Sequence, residues 1–206
     1  MAMTERSRLI VIGNGMAGAR AVEEILERGG REIFDITMFG DEPHGNYNRI
    51  SLSNVLAGLE DPDAIYLNPL DWYEENSITL HVGVRVTRVD RFAREVTADD
   101  GTVHPYDKLI IATGSRSFFP PIPGLLDDDG RPRSGVFGFR TISDTERMLD
   151  WAGGATRAAV IGGGLLGLEA ARGLLERGLE VHVVHRGSRL MNMQLDGQAG
   201  AILRRG

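Results

Sequence analysis

Cysteine is absent from all 206 residues, so the chain has no disulfide, no catalytic thiol and no cysteine-ligated iron–sulfur cluster of its own. Lysine is almost absent: of 23 Lys and Arg residues only Lys108 is a lysine, which leaves one candidate for any chemistry that needs an amine. Long apolar runs are missing too. The run behind Arg6 and Arg8 is only a few residues long. It falls short of the roughly 7–15 residues of a signal-peptide core and far short of the ~20 of a membrane span. That predicts a cytoplasmic chain without a membrane partner. Basic tracts are lacking and the formal charge is -6, which argues against a nucleic-acid partner. His44, His81, His104, His182 and His185 show no metal-ligand spacing, so no metal site is expected. What remains, 42% hydrophobic and 25% charged, is the composition of a globular protein suited to small-molecule partners.

One phrase is present twice. Residues 11–29 read VIGNGMAGARAVEEILERG and residues 160–178 read VIGGGLLGLEAARGLLERG, identical at ten of nineteen positions without a gap. Two copies are too few for a solenoid. In each, an apolar run predicts a strand buried on both faces, the glycines end it, and apolar residues at helical spacing follow. Residues 34–39 and 180–185 predict the next strand of each copy, giving two βαβ units.

The order strand, glycines, helix suits a dinucleotide. Gly13 and Gly162 permit the tight turn, Gly15 and Gly164 let the backbone approach a pyrophosphate, and Gly18 and Gly167 let helix lie close to strand. The pyrophosphate would meet the helix amino end, where unpaired N–H groups and the dipole favour negative charge. After the first copy's second strand stands Asp41-Glu42, and Glu42, with Asp41 as second candidate, can accept from a ribose diol. The second copy has His185-Arg186 there instead, with Arg189 beyond, which suits a 2′-phosphate or simply surface.

Between the copies, residues 49–58 and 71–75 predict short helices. Residues 78–81, 84–90, 95–98 and 102–105 suit an antiparallel meander turning at Asp99-Asp100-Gly101, and residues 108–113 a buried parallel strand. Four prolines and the acids 127–129 make 118–133 a connection. Ser143 or Asp144 can cap a helix running to about Trp151. The expected fold is therefore α/β, with two Rossmann-like dinucleotide-binding units, the second incomplete, and a small meander in the first. The domains are 1–122 and 123–206.

Two nucleotide sites in series suit hydride passing between a nicotinamide and a flavin. The arrangement resembles the FAD-dependent pyridine-nucleotide oxidoreductases, and ATGS at 112–115 is similar to the motif closing their FAD site. Within that family, GDEPHGNYNRISLSNVLAG at 40–58, LNPLDWYEENSITLHVG at 67–83, FRTISDTERM at 139–148 and LMNMQLD at 190–196 resemble the large subunit of assimilatory NAD(P)H nitrite reductase.

The resemblance implies FAD on domain 1–122, held by Gly13, Gly15, Gly18 and Glu42, with Arg49 a fixed positive charge beside phosphate or flavin. It implies that Thr113 and Gly114 approach the flavin side and that the Val86 backbone meets adenine. It implies NADH or NADPH on domain 123–206 and a catalytic Glu169 near the nicotinamide. Many relatives pair that glutamate with a lysine, whereas Ser53-Asn54 stands in the matching region here, so no such ion pair is expected. The family's sirohaem and iron–sulfur cluster need cysteines, so nitrite chemistry belongs to a longer chain and this is an amino-terminal fragment feeding a downstream acceptor. A ferredoxin or rubredoxin reductase of the same fold, or an inactive nucleotide-binding fragment, are the alternatives.

Overall fold

The computed structural model describes residues 6–205. In chain order the elements are β1 (Ser7–Ile12), α1 (Met16–Glu27), β2 (Phe34–Gly40), β3 (Asn46–Tyr47), α2 (Leu52–Ala57), β4 (Tyr66–Asn68) and α3 (Leu70–Glu75). Next come β5 (Ile78–Val82), β6 (Val86–Asp90), β7 (Glu95–Ala98), β8 (Val103–Pro105) and β9 (Lys108–Ile111). The remainder holds α4 (Ile142–Ala152), β10 (Arg157–Ile161), α5 (Leu165–Glu176), β11 (Glu180–Val184) and α6 (Gly197–Leu203). No helix among these residues is long and apolar enough to cross a membrane.

The chain forms two compact units that are not contiguous in sequence. The first takes the stretch up to Asn48 together with Tyr66–Ser115, and the second takes Arg49–Ile65 and everything from Arg116 onward. A single cut near residue 122 was expected.

In the first unit β5, β2, β1 and β9 lie side by side in one parallel sheet. β1 is central, and Leu9, Ile10, Val11 and Ile12 are all buried, as a strand covered on both faces requires. Leu9 and Val11 face one side with Val22, Ile36, Met38, Tyr73 and Ile78. Ile10 and Ile12 face the other with Phe39, Val96, Ala98 and Tyr106. Helix α1 lays Gly18, Ala19 and Val22 on the sheet, while its outer face carries Arg20, Glu24 and Glu27 as surface ion pairs. The expectation for 78–81 is corrected here. β5 is not part of the meander but pairs in parallel with β2, Ile36 opposite Ile78, because Ile78 joins the core under α1. The meander keeps β6, β7 and β8.

In the second unit β10 and β11 form a parallel pair connected through α5, over a core of Leu56, Met148, Val160, Ala170, Leu174 and Leu179. Segment 49–65 belongs here because Leu56 is fully buried in that core. A Cβ on Gly173 would lie 2.8 Å from Leu56 Cγ, so α5 offers α2 a glycine at the point of closest approach. Arg177 then donates to the carbonyls of Leu56 (2.7 Å) and Val55 (3.0 Å), placing a cation at the carboxyl end of α2. Helix α4 is capped by Thr141 rather than Ser143 or Asp144. Thr141 Oγ1 accepts from the Asp144 N–H, and the Asp144 carboxylate reaches back to the Thr141 N–H.

Candidate functional site

The first glycine loop leaves β1 at Gly13, whose φ of 110° suits glycine alone and whose Cβ, if it had one, would lie 2.2 Å from the Ala112 carbonyl oxygen. A Cβ on Gly18 would lie 2.0 Å from the Gly13 oxygen, which fixes how closely α1 approaches the strand end. Gly15 is the extended N-cap of α1, with no side chain capping it and no acid in the first turn. The helix thus presents its first N–H groups bare, the arrangement that accepts an anion. Between the glycines, Asn14 Oδ1 accepts from the Tyr73 hydroxyl at 2.7 Å, while its buried Nδ2 has no partner.

The acidic pair divides. Glu42 is half-buried and its Oε2 accepts from the Tyr47 hydroxyl at 2.8 Å, with His44 Nε2 at 3.7 Å. Asp41 is exposed and pairs with Arg85 at 3.3 Å. Val86 opens β6 and packs its side chain against the Phe39 cluster. Thr113 and Gly114 follow β9 and are exposed, Gly114 with φ of 72°. All of these lie in the first unit. Arg49 lies in the second, where it donates to the Arg140 carbonyl at 3.0 Å.

The second loop repeats the geometry. Gly162 has φ of 123°, and a Cβ on Gly167 would lie 2.0 Å from the Gly162 oxygen. Gly164 is the extended N-cap of α5, again without a side-chain cap or an acid in the first turn, and its Cβ position looks onto open space. His185 is half-buried with both ring nitrogens engaged. Nδ1 accepts from the Gly163 N–H at 3.1 Å and Nε2 lies 2.9 Å from the Arg189 carbonyl. A backbone N–H can only donate and a carbonyl only accept, so the ring is the neutral Nε2–H tautomer. Arg186 is exposed. Glu169, in the second turn of α5, is half-buried without an ion-pair partner among the described residues, and burial pushes its carboxyl above the usual range.

Three features escaped sequence reasoning: the Tyr73 hold on Asn14, the His185 contact with Gly163, and the side-chain chain Asn46–Asn68–Glu23 (2.8 and 3.0 Å). Tyr73, Asn46 and Asn68 lie within the stretches 40–58 and 67–83 that carry the resemblance, yet only their burial and hydrogen bonds reveal what they hold. No group of three or more His, Cys, Asp or Glu among the described residues could hold a metal.

Two glycine loops each open an uncapped helix behind a parallel strand, buried in β1 and largely exposed in β10, in an α/β scaffold of the kind that can receive nucleotide diphosphates. The cradles that a Cβ would fill, the bare helix ends and the unpartnered Asn14 amide all fit such groups. Residues 7–205 match the family model described as pyridine nucleotide-disulphide oxidoreductase, and the chain belongs to that family. Its lack of cysteine means that no disulphide chemistry resides in these residues.

The chain is 51% identical over 198 residues to a nitrite reductase [NAD(P)H] of Bacillus subtilis, covering 96% of this chain and 24% of that protein. It is 46% identical to the assimilatory nitrate reductase electron transfer subunit of the same organism, covering 97% of this chain and 25% of that one. Thus it spans about a quarter of the length of these curated relatives. Among solved structures, NADH:rubredoxin oxidoreductase from Clostridium acetobutylicum superposes with a TM-score of 0.84 at 28% identity, over 98% of this chain and 50% of that one.

Proposed function

We propose that this chain is the electron-input module of a nitrite reductase, taking hydride from NADH or NADPH onto FAD and passing electrons to a downstream acceptor. The duplicated glycine loop with its uncapped helix is the observation that carries the reading. The relative at 51% identity, a nitrite reductase, supports the nitrite assignment, and the one at 46%, a nitrate reductase electron transfer subunit, supports the electron-input role.

We assign FAD to the sequence region 1–122, although its segment 49–65 packs in the second compact unit, and NAD(P)H to 123–206. Gly13, Gly15 and Gly18 shape the FAD pyrophosphate cradle, and Glu42, held by Tyr47, offers its carboxylate to the ribose. Asp41, next to Glu42 in sequence, forms a surface pair with Arg85, and Val86, Thr113 and Gly114 contribute backbone, while Arg49 is a fixed positive charge within the second unit. Gly162, Gly164 and Gly167 shape the second cradle, and Arg186 is the cation nearest in sequence for an adenosine phosphate. When bound, the nicotinamide supplies a hydride and the flavin accepts it as a two-electron carrier. Glu169 contributes a desolvated carboxyl near the nicotinamide end of that cradle.

Nitrite reduction itself falls to a sirohaem and an iron–sulfur cluster outside these residues, since the chain offers no thiolate. A second reading, reduction of a small iron–sulfur protein, is favoured by the likeness to the rubredoxin oxidoreductase.

The test is to reconstitute the 206-residue chain with FAD and follow NADH and NADPH oxidation with an artificial acceptor. Turnover with retained flavin is expected. Absence of both flavin binding and NAD(P)H oxidation overturns the reading.

A further inference from the structure

We propose that His185 is a positioning residue for the second glycine loop, setting which N–H groups face the nucleotide diphosphate without itself touching the nucleotide. The inference rests on the NAD(P)H reading and adds the device that prepares the loop.

Gly163, the middle residue of Gly162-Gly163-Gly164, is buried and held from both sides by the segment that follows β11. Its N–H donates to His185 Nδ1 at 3.1 Å and its carbonyl accepts from the Met191 N–H at 2.8 Å. His185 Nε2–H donates in turn to the Arg189 carbonyl at 2.9 Å, which folds 185–191 into an arc against the loop. Met191 carries a φ of 48°, a conformation that a methionine adopts only when its surroundings over-determine it. Those surroundings are present: the N–H groups of Gln194 and Leu195 both donate to the Met191 carbonyl, at 2.9 and 2.8 Å. The clamp also explains why the second copy has glycine where the first has Asn14. A Cβ at Gly163 would lie 2.5 Å from Leu190 Cδ2 and 3.0 Å from His185 Cγ.

With the Gly163 N–H committed to His185, the N–H groups left for an anion are those of Gly164 and the first turn of α5, which no side chain caps. Were Gly163 released, its N–H would compete for the same anion and the loop would have to be ordered on binding, at a cost in affinity. The LMNMQLD stretch thus supplies the Leu190 and Met191 contacts of the clamp.

The experiment compares the unaltered 206-residue chain with His185→Ala and His185→Asn. Asn places Oδ1 about where Nδ1 stands and so keeps the acceptor for Gly163. Three quantities are read: the Kd for NADH and NADPH by nicotinamide fluorescence, the Kd for FAD, and exchange of the Gly163 amide without nucleotide. The clamp predicts a rise of about tenfold in the NAD(P)H Kd for His185→Ala, with fast Gly163 exchange and unchanged FAD binding. His185→Asn should return the Kd to within about threefold of the unaltered chain.

Tight NAD(P)H binding by His185→Ala, or an unprotected Gly163 amide in the unaltered chain, overturns the clamp alone. Loss of FAD and NAD(P)H binding together without rescue by Asn reduces His185 to a folding role and overturns it too. Absence of NAD(P)H binding by the unaltered chain overturns the nucleotide reading as well.

Discussion

The Tyr73 hydroxyl donates to Asn14 Oδ1 at 2.7 Å, so a fully buried side chain on α3 holds the middle residue of the first glycine loop from beneath. The same hydroxyl accepts from the Asn46 N–H at 3.2 Å, close in sequence to Glu42 and Tyr47. One oxygen therefore ties the loop proposed for the pyrophosphate to the segment carrying the carboxylate proposed for the ribose. Burial raises the Tyr73 pKa, so the group stays a neutral donor.

Replacing Tyr73 by Phe keeps the ring and removes that oxygen, leaving Asn14 Oδ1 and the Asn46 N–H without a partner in a buried place. The expected loss is about 1–3 kcal/mol, the penalty for stranding buried polar groups. Urea denaturation should show it as a lower midpoint with an unchanged slope, and FAD titration should show weaker binding. A variant with unchanged midpoint and unchanged FAD affinity would remove Tyr73 from both roles.

The glycines separate folding from binding. Gly13→Ala forces a Cβ to 2.2 Å from a backbone oxygen at a φ that alanine avoids, so the first unit should lose cooperative unfolding or FAD binding outright. Gly164→Ala meets open space in an extended conformation. It should leave the thermal midpoint within about 2 °C and weaken NAD(P)H by about tenfold or more, because the added methyl lies where the diphosphate would approach. Calorimetry and nicotinamide fluorescence on the two variants check both halves.

His81 stacks on Phe39, ring centroids 4.7 Å apart, and His104 lies 5.2 Å away. Burial first, then the neighbouring His104, hold the His81 pKa below its ordinary 6.5, opposed by Asp100 in the adjoining turn. The unfolded chain then binds more protons than the folded one between the depressed value and 6.5, so stability rises with pH across that window. It is fully present above 6.5 and is lost as pH falls through the folded pKa. Urea midpoints of the unaltered chain should drop on acidification through this window, and His81→Gln should show a shallower drop.

The two glycine loops were legible because their spacing, the apolar run before them and the helical periodicity after them are all local. β5 was not, since Ile78-Thr79-Leu80-His81-Val82 alternates equally well as a meander strand or as the margin of a parallel sheet. What decided its place was Ile78 meeting Ile36 and Leu9, residues far away in sequence. Segment 49–65 reads as part of its flanking sequence, yet Leu56, Gly173 and Arg177 bind it to α5 across more than a hundred residues. His185 was legible as a polar residue at a strand end but not as a partner of Gly163, because that hydrogen bond exists only once β10 and β11 lie side by side.

Glu169 acts on stability in the opposite direction to His81. Burial raises its carboxyl pKa, so over the window above the ordinary carboxylate value the folded chain holds a proton that the unfolded chain has released. Stability therefore falls as pH rises through that window, and above it the ionised carboxylate sits half-buried without a cation among the described residues. Glu169→Gln keeps the shape and removes the charge, so it should raise the urea midpoint at neutral pH and flatten the fall through the window. If Glu169 also faces the nicotinamide, the same variant should lower kcat for NAD(P)H oxidation more than it raises KM, since a nearby charge acts on the developing transition state more than on binding. Unchanged kcat with a raised midpoint would leave Glu169 a desolvated surface carboxyl and no more.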